Sequence, residues 1–186
     1  MPRMLRLSWA VFLLASCSGP SADIRSADPY ERYLGVRELG AERQSHERIV
    51  KLLRDPHYLV AVGALEALAD WGNPGDCLAV TFLLGAEGRD PMVRAQACIT
   101  LARLGNAEAV PFLVEALKDK DAWVRREAIR ALASFGARPE ILKSLVDAVD
   151  DPEPSVSYMA HDQLVRLTGR TDVPRRRADW SRVFAP

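Results

Sequence analysis

The chain is 186 residues long, 48% hydrophobic and 27% charged, with 25 basic residues set against 25 acidic ones. That length buries a sizeable core in one or two domains, and a formal net charge of zero argues against a dedicated nucleic-acid binder, so no nucleic-acid partner is expected. Three cysteines are too few for a disulfide scaffold, and the apolar fraction excludes disorder.

Arg3 and Arg6 precede a run, Leu7 to Ala15, that is apolar except for Ser8. Basic residues followed by a short apolar run are the n-region and h-region of an export signal, and this run is too short to span a bilayer. It ends in Leu14-Ala15-Ser16-Cys17, which resembles the lipobox of bacterial lipoproteins. The resemblance implies lipidation of the Cys17 thiol and cleavage just before it; an ordinary secretory signal that contains a cysteine is the alternative. Residues 1–16 are therefore expected to be a lipoprotein signal peptide and 17–27 a lipid-anchored tether. Ten residues from Ser18 to Ala27 reach about 35 Å at full stretch, which keeps the folded part close to a membrane. Cleavage removes Arg3 and Arg6, leaving 23 basic residues against 25 acidic ones, a net charge of −2. Three acyl chains on one residue suffice for stable anchoring. Ser18 is not the aspartate that resembles an inner-membrane retention signal, so the outer membrane of a bacterial cell envelope is favoured.

From Asp28 onward a repeat dominates. Gly40, Gly72, Gly105, Gly136 and Gly169 are 32, 33, 31 and 33 residues apart. Val36, Leu68, Leu101 and Leu132 stand four residues before the first four of these glycines, with Leu164 one place further back; Ala64, Ala97, Ala128 and Ala160, and Val60, Val93, Val124 and Val156, fill two more columns. Val93, Ala97, Leu101 and Leu104 form one stripe of an α-helix, closed by a glycine able to take positive φ. Asp55-Pro56, Asp90-Pro91, Asp121-Ala122 and Asp151-Pro152 read as N-caps and first helical residues. A second helical pattern follows each glycine (Ile49-Leu52-Leu53, Leu78-Leu83-Leu84, Val110-Leu113-Val114-Leu117, Ile141-Leu145-Val146-Val149), and nothing reads as a strand. The unit is a helix hairpin that buries its apolar face only by stacking on its neighbours. Residues 28–169 thus predict an all-α solenoid of about four to five hairpins, with a short first copy from Asp28 to Gly40.

Asp90-x-x-Val93-Arg94-x-x-Ala97-x-x-x-Leu101-x-x-x-Gly105, and its copy from Asp121 through Val124-Arg125 to Gly136, resemble HEAT repeats of the short type first named after phycobilin lyase subunits. The resemblance implies a right-handed superhelix with the second helices on the concave face. It also implies a hydrogen-bonded ladder between repeats, formed by Asp90, Arg94, Asp121 and Arg125. Asp55 and Asp151 match only half of that motif, because Ala61 and Ser157 replace the arginine, so the ladder is expected to fray at both ends. Residues 170–186 look like the capping tail of HEAT-repeat lipoproteins, with Trp180 and Phe184 folding over the last hairpin. The rival reading makes Arg175-Arg176-Arg177 a basic arm for anionic lipid, and the cap is favoured.

Candidate chemistry is sparse. His46, His57 and His161 fall in no metal-binding spacing, and His46 and His57 read as solvated. Asp150, Asp151 and Glu153 lack the order of a calcium loop. Cys77 and Cys98 occupy core columns; the core reading makes them small buried hydrophobes, and a disulfide between them is the alternative. No catalytic residue, metal or cofactor is expected. The reading that follows is a membrane-tethered scaffold or adaptor for another, unidentified protein. Its candidate contact face is the polar residues of the second helices: Arg48, Lys51, Thr81, Glu115, Lys118, Lys143 and Asp147. Two alternatives stand beside it, an enzyme subunit of the phycobilin-lyase type and a purely structural envelope protein.

Overall fold

Two rows of helices make up the computed structural model, which describes residues 23–41, 46–85 and 88–184. Cys17 and the expected signal segment lie outside the described residues. Five longer helices, α1 (Pro29–Ala41), α3 (Tyr58–Trp71), α5 (Pro91–Leu104), α7 (Ala122–Ser134) and α9 (Pro154–Thr168), alternate with α2 (His46–Leu52), α4 (Cys77–Thr81), α6 (Val110–Ala116) and α8 (Pro139–Ala148). A last helix, α10 (Arg177–Val183), follows, and no strand occurs among the described residues. No helix among them is long and apolar enough to cross a membrane.

The longer helices share one register. Their seventh residues, Gly35, Ala64, Ala97, Ala128 and Ala160, are all buried and small, so neighbouring backbones approach closely. The eleventh residues, Leu39, Leu68, Leu101, Leu132 and Leu164, carry the main apolar stripe. This register corrects the sequence reading of the first repeat. Gly40 lies inside α1 and does not end it, so the glycine landmark set that copy three residues out of step, and Val36 belongs with Leu65, Cys98 and Ile129. Gly105, Gly136 and Gly169 do end their helices with φ of 66°, 86° and 71°. Gly72 differs: its φ is −61°, and a Cβ there would stand 2.4 Å from the Leu68 carbonyl oxygen, so close approach is what demands glycine.

The N-caps also need correcting. Asp90 and Asp121 accept from the backbone N–H of Met92 and Trp123, both at 2.8 Å, as capping aspartates do. Asp55 and Asp151 do not cap; the cap positions belong to His57 and Glu153, two residues further on.

Along the row α1–α3–α5–α7–α9 each helix lies against the next over much of its length, whereas α2, α4, α6 and α8 scarcely touch one another. A stack whose two rows are spaced differently bends toward the tighter row. The first helix of each hairpin therefore lies on the inside of the bend and the second on the outside, the reverse of the arrangement implied by the resemblance. The wider spacing opens grooves between the outer helices. Cys77 and Cys98 are free, buried thiols, and burial pushes Cys98 up to about 12, far from the thiolate.

At the C-terminal end α10 folds back against α8 and inserts Trp180, which is 0% exposed. Its indole N–H donates to Nδ1 of His161 at 3.1 Å, and the rings meet edge to face. That bond needs a neutral imidazole with its proton on Nε2. Burial, and then the nearby Arg175, hold His161 below its ordinary value despite Asp162. Since the fold favours the neutral form, the stabilisation is fully present above the unfolded value of about 6.5 and declines as pH falls below it toward the depressed native value. Thermal unfolding should therefore occur at lower temperature as pH drops from about 7 to 5, and a His161→Gln variant should show a flatter profile over that range. An identical slope in both proteins would remove His161 as the cause.

Candidate functional site

The fourth residue of each inner helix is Arg32, Ala61, Arg94, Arg125 or Ser157 in turn. Where it is arginine, it forks onto an aspartate at the start of the next repeat. Arg94 donates from Nε and Nη2 to Asp119 at 2.6 and 2.8 Å, and Arg125 does the same to Asp151 at 2.8 and 2.9 Å. Arg32 forks onto Asp55 at 2.8 and 2.9 Å. The third guanidinium nitrogen of each returns to a carbonyl just before its own helix: Ser26 and Ala27 for Arg32, Arg89 for Arg94, Asp119 for Arg125. Each arginine thus ties two successive turns together through bidentate, charge-assisted bonds.

This ladder corrects the expected one. Arg94 and Arg125 are its donors, but the acceptors are Asp55, Asp119 and Asp151, while Asp90 and Asp121 cap helices. Nor does it fray at the two ends as expected, since Arg32–Asp55 makes a full rung at the N-terminal side. The interruption is internal. At the α3–α5 junction Ala61 replaces the arginine and Gly88, with φ 85°, stands where the aspartate would be. There Arg89 reaches back instead, donating to the Asp55 carbonyl at 2.7 Å. Burial works to raise the Asp55 and Asp119 carboxyls, but the arginine bonds and the turn N–H groups of His57 and Asp121 hold both below the usual carboxylate range. The ladder is structural.

The seven second-helix residues do not converge. Arg48 and Lys51 are exposed on α2; Thr81 is buried, its hydroxyl donating to the Leu78 carbonyl at 3.0 Å, so it leaves the candidate face. Glu115 and Lys118 pair with each other at 2.7 Å. Lys143 and Asp147 lie on α8, and Asp147 is held by Arg177 at 2.7 Å. All six exposed ones sit on the outer row. Of the basic tail, Arg177 is thus engaged, and the Arg175 guanidinium lies 3.5 Å from the Tyr158 ring centroid. His46, expected to be solvated, instead donates from its Nε2–H to both carboxylate oxygens of buried Asp76, at 2.8 and 2.9 Å. Among the described residues no three of His, Cys, Asp and Glu are grouped so as to hold a metal ion.

Two surfaces escaped the sequence. On the inner row the second residues Tyr30, Leu59, Met92 and Trp123 run side by side across four helices; Tyr30, Met92 and Trp123 are 57%, 37% and 41% exposed. Two turns along the same stripe stand Arg37, Glu66, Ile99, Arg130 and Asp162. Small cavities of about 360 and 370 Å³ open between α1 and α3 and between α7 and α9. Trp71 Nε1, in the wall of the first, is a buried donor with no acceptor among the described residues. On the outer row, Leu78 and Phe82 stand out from α4 and the residue just after it.

Residues 79–165 match the family model of HEAT repeats. Over that stretch the solenoid is similar to HEAT repeats. A deoxyhypusine hydroxylase of Coccidioides immitis (strain RS) is 32% identical over 112 residues, a match that covers 57% of this chain and 29% of that enzyme. The chain therefore spans less than a third of that relative's length. A crystal structure of an engineered protein superposes with a TM-score of 0.56 at 22% identity, covering 76% of this chain and 74% of that one. It supports the fold alone.

Proposed function

We propose that this HEAT-repeat protein is a scaffold of the bacterial cell envelope, tethered through a lipid on Cys17, that holds a partner protein against its inner face. The observation that carries the reading is the row Tyr30–Leu59–Met92–Trp123. Exposed Tyr30, Met92 and Trp123, with half-buried Leu59 in the same register between them, make a surface that another protein covers, and Trp and Tyr are the residue types that anchor such contacts. The mixed charges of Arg37, Glu66, Arg130 and Asp162 supply a polar margin beside them. The match to deoxyhypusine hydroxylase covers 29% of that enzyme, and the scaffold reading draws on the inner face of this chain.

A photo-crosslinking residue at position 123 should capture a discrete partner in native envelopes, while one at Phe112 on the outer row should not. With the crosslinking residue placed instead at Met92, the neighbouring position of the row, Trp123→Ala should weaken capture by about thirtyfold, the effect of losing a central aromatic anchor. Equal capture from both rows would sink the inner-face assignment. The anchor is checked separately: Cys17→Ala should move the protein out of the membrane fraction, and unchanged fractionation would remove the tether.

A further inference from the structure

The groove between α2 and α4 has an apolar floor and a cationic rim. Val50 and Leu53 face Leu78 and Phe82 across an open cavity of about 440 Å³. Leu78 and Phe82, one helical turn apart, are 65% and 58% exposed, and no residue from Cys77 to Gly85 carries a charge. Arg48, Lys51 and Arg54 follow at three-residue spacing along α2 and the turn after it, all exposed, with Glu47 the one acid on that helix. The Arg54 guanidinium lies 5.7 Å from the Phe82 ring centroid. The other outer grooves differ, since Asp147 and Asp150 line the one between α6 and α8 and Asp147 the one between α8 and α10. Protruding apolar side chains beside a stripe of cations are the chemistry of an interfacial membrane contact.

The path of the chain says what covers this patch. Arg32 binds the carbonyls of Ser26 and Ala27 with one nitrogen while forking onto Asp55 with the others. The segment before α1 is thereby held beside Asp55, the residue after Arg54. Cys17 precedes Ser26 by nine residues, about 30 Å at full stretch. We infer that the α2–α4 groove docks on an anionic bilayer surface, with Leu78 and Phe82 entering the headgroup–acyl boundary and Arg48, Lys51 and Arg54 facing lipid phosphates. The inference rests on the lipid-anchor reading, because the tether is what brings this end of the solenoid to the bilayer. An acidic amphipathic protein segment is the rival occupant.

The test uses the full chain, lipidated and as Cys17→Ala, with an environment-sensitive dye on Leu78→Cys; Cys77 and Cys98 are buried and do not compete for the label. Vesicles are phosphatidylcholine alone or with about one-third phosphatidylglycerol. On anionic vesicles the dye emission should shift to the blue and be quenched by lipid-borne quenchers, and on neutral vesicles the dye should stay in water. The triple variant R48E/K51E/R54E should lower partition of the Cys17→Ala chain onto anionic vesicles by about a hundredfold while its thermal midpoint is kept, each cation being worth about fivefold. A dye that stays in water on a lipidated, vesicle-bound chain overturns the inference and leaves the anchor standing. A dye on Leu78→Cys that is buried on anionic vesicles in the Cys17→Ala chain, together with mass analysis that finds no lipid on Cys17 of the native chain, supports the patch and overturns the anchor. Shielding of the dye by envelope proteins but not by vesicles gives the groove to a protein partner and overturns the inference.

Discussion

Arg94→Ala is expected to lower stability by about 3 kcal/mol, roughly 10 °C in the thermal midpoint of a chain this size. Arg94 and Asp119 are only 6% and 11% exposed in their side chains, so removing the guanidinium leaves a buried carboxylate whose desolvation is no longer offset. The carbonyl of Arg89 loses its donor as well. Two comparisons isolate the cause. Arg103→Ala deletes a pair with Asp70 whose side chains are 57% and 67% exposed, and it should cost no more than about 0.5 kcal/mol. The double replacement Arg94→Met with Asp119→Leu should recover the part of the loss that comes from the stranded charge, because a buried ion pair exchanged for packed hydrophobes is close to neutral, while the Asp121 N–H and the Arg89 carbonyl still lack their partners. The pH dependence has a definite sign. Asp119 is held below its ordinary value, so its contribution is fully present above about pH 4 and is lost as pH falls through the native value. The gap between wild type and Arg94→Ala should therefore narrow in acid. Chemical denaturation at several pH values reads all three.

Trp180→Ala should cost about 3–4 kcal/mol, the loss expected for a fully enclosed large aromatic. The damage should be local before it is global. Trp180 fills the space between α10 and α9, stacks near Phe184 with ring centroids 6.2 Å apart, and satisfies His161. Without it α10 loses its only fully buried side chain among the described residues of that helix, and the outer side of α8 around Leu142 and Val146 is left bare. Hydrogen exchange should accelerate first in α10 and α8, with α3 and α5 unaffected. Phe184, 39% exposed, has less to lose, and Phe184→Ala should stay within about 1 kcal/mol. Uniform acceleration along the whole solenoid would mean that the tail is not a separable cap.

The columns of apolar residues were legible because a helix that must bury one stripe repeats its residue types at fixed spacing, and Val93, Ala97 and Leu101 do so in copy after copy. What periodicity does not carry is which row lies inside the bend, since curvature depends on how closely helices approach and not on which faces are apolar. The ladder illustrates a second limit. Asp119 and Asp121 are two residues apart and chemically identical, yet one closes a rung and the other caps α7; only the reach of Arg94 distinguishes them. The first repeat was misplaced because Gly40 resembles the glycines that end other helices, while Arg32, the residue that fixes the true register, lies where no glycine-based count looks. Polarity places Thr81 on the candidate contact face, but a hydroxyl that bonds back to its own helix can be buried at little cost. Leu78 and Phe82 had a sequence signal in the chargeless run from Cys77 to Gly85, which is longer than a buried stripe needs.

The missing rung, with Ala61 and Gly88 where an arginine and an aspartate would stand, has a mechanical consequence. A row of equal clamps shares a twisting load evenly, and a row with one clamp removed concentrates the twist where it is missing. At that junction α3 and α5 remain joined by apolar packing, by the Thr100 hydroxyl on the Leu65 carbonyl at 3.0 Å and by Arg89, so the joint yields without parting. The junction between α3 and α5 should therefore be where the row twists most easily, and a pull applied between the ends should be taken up there first.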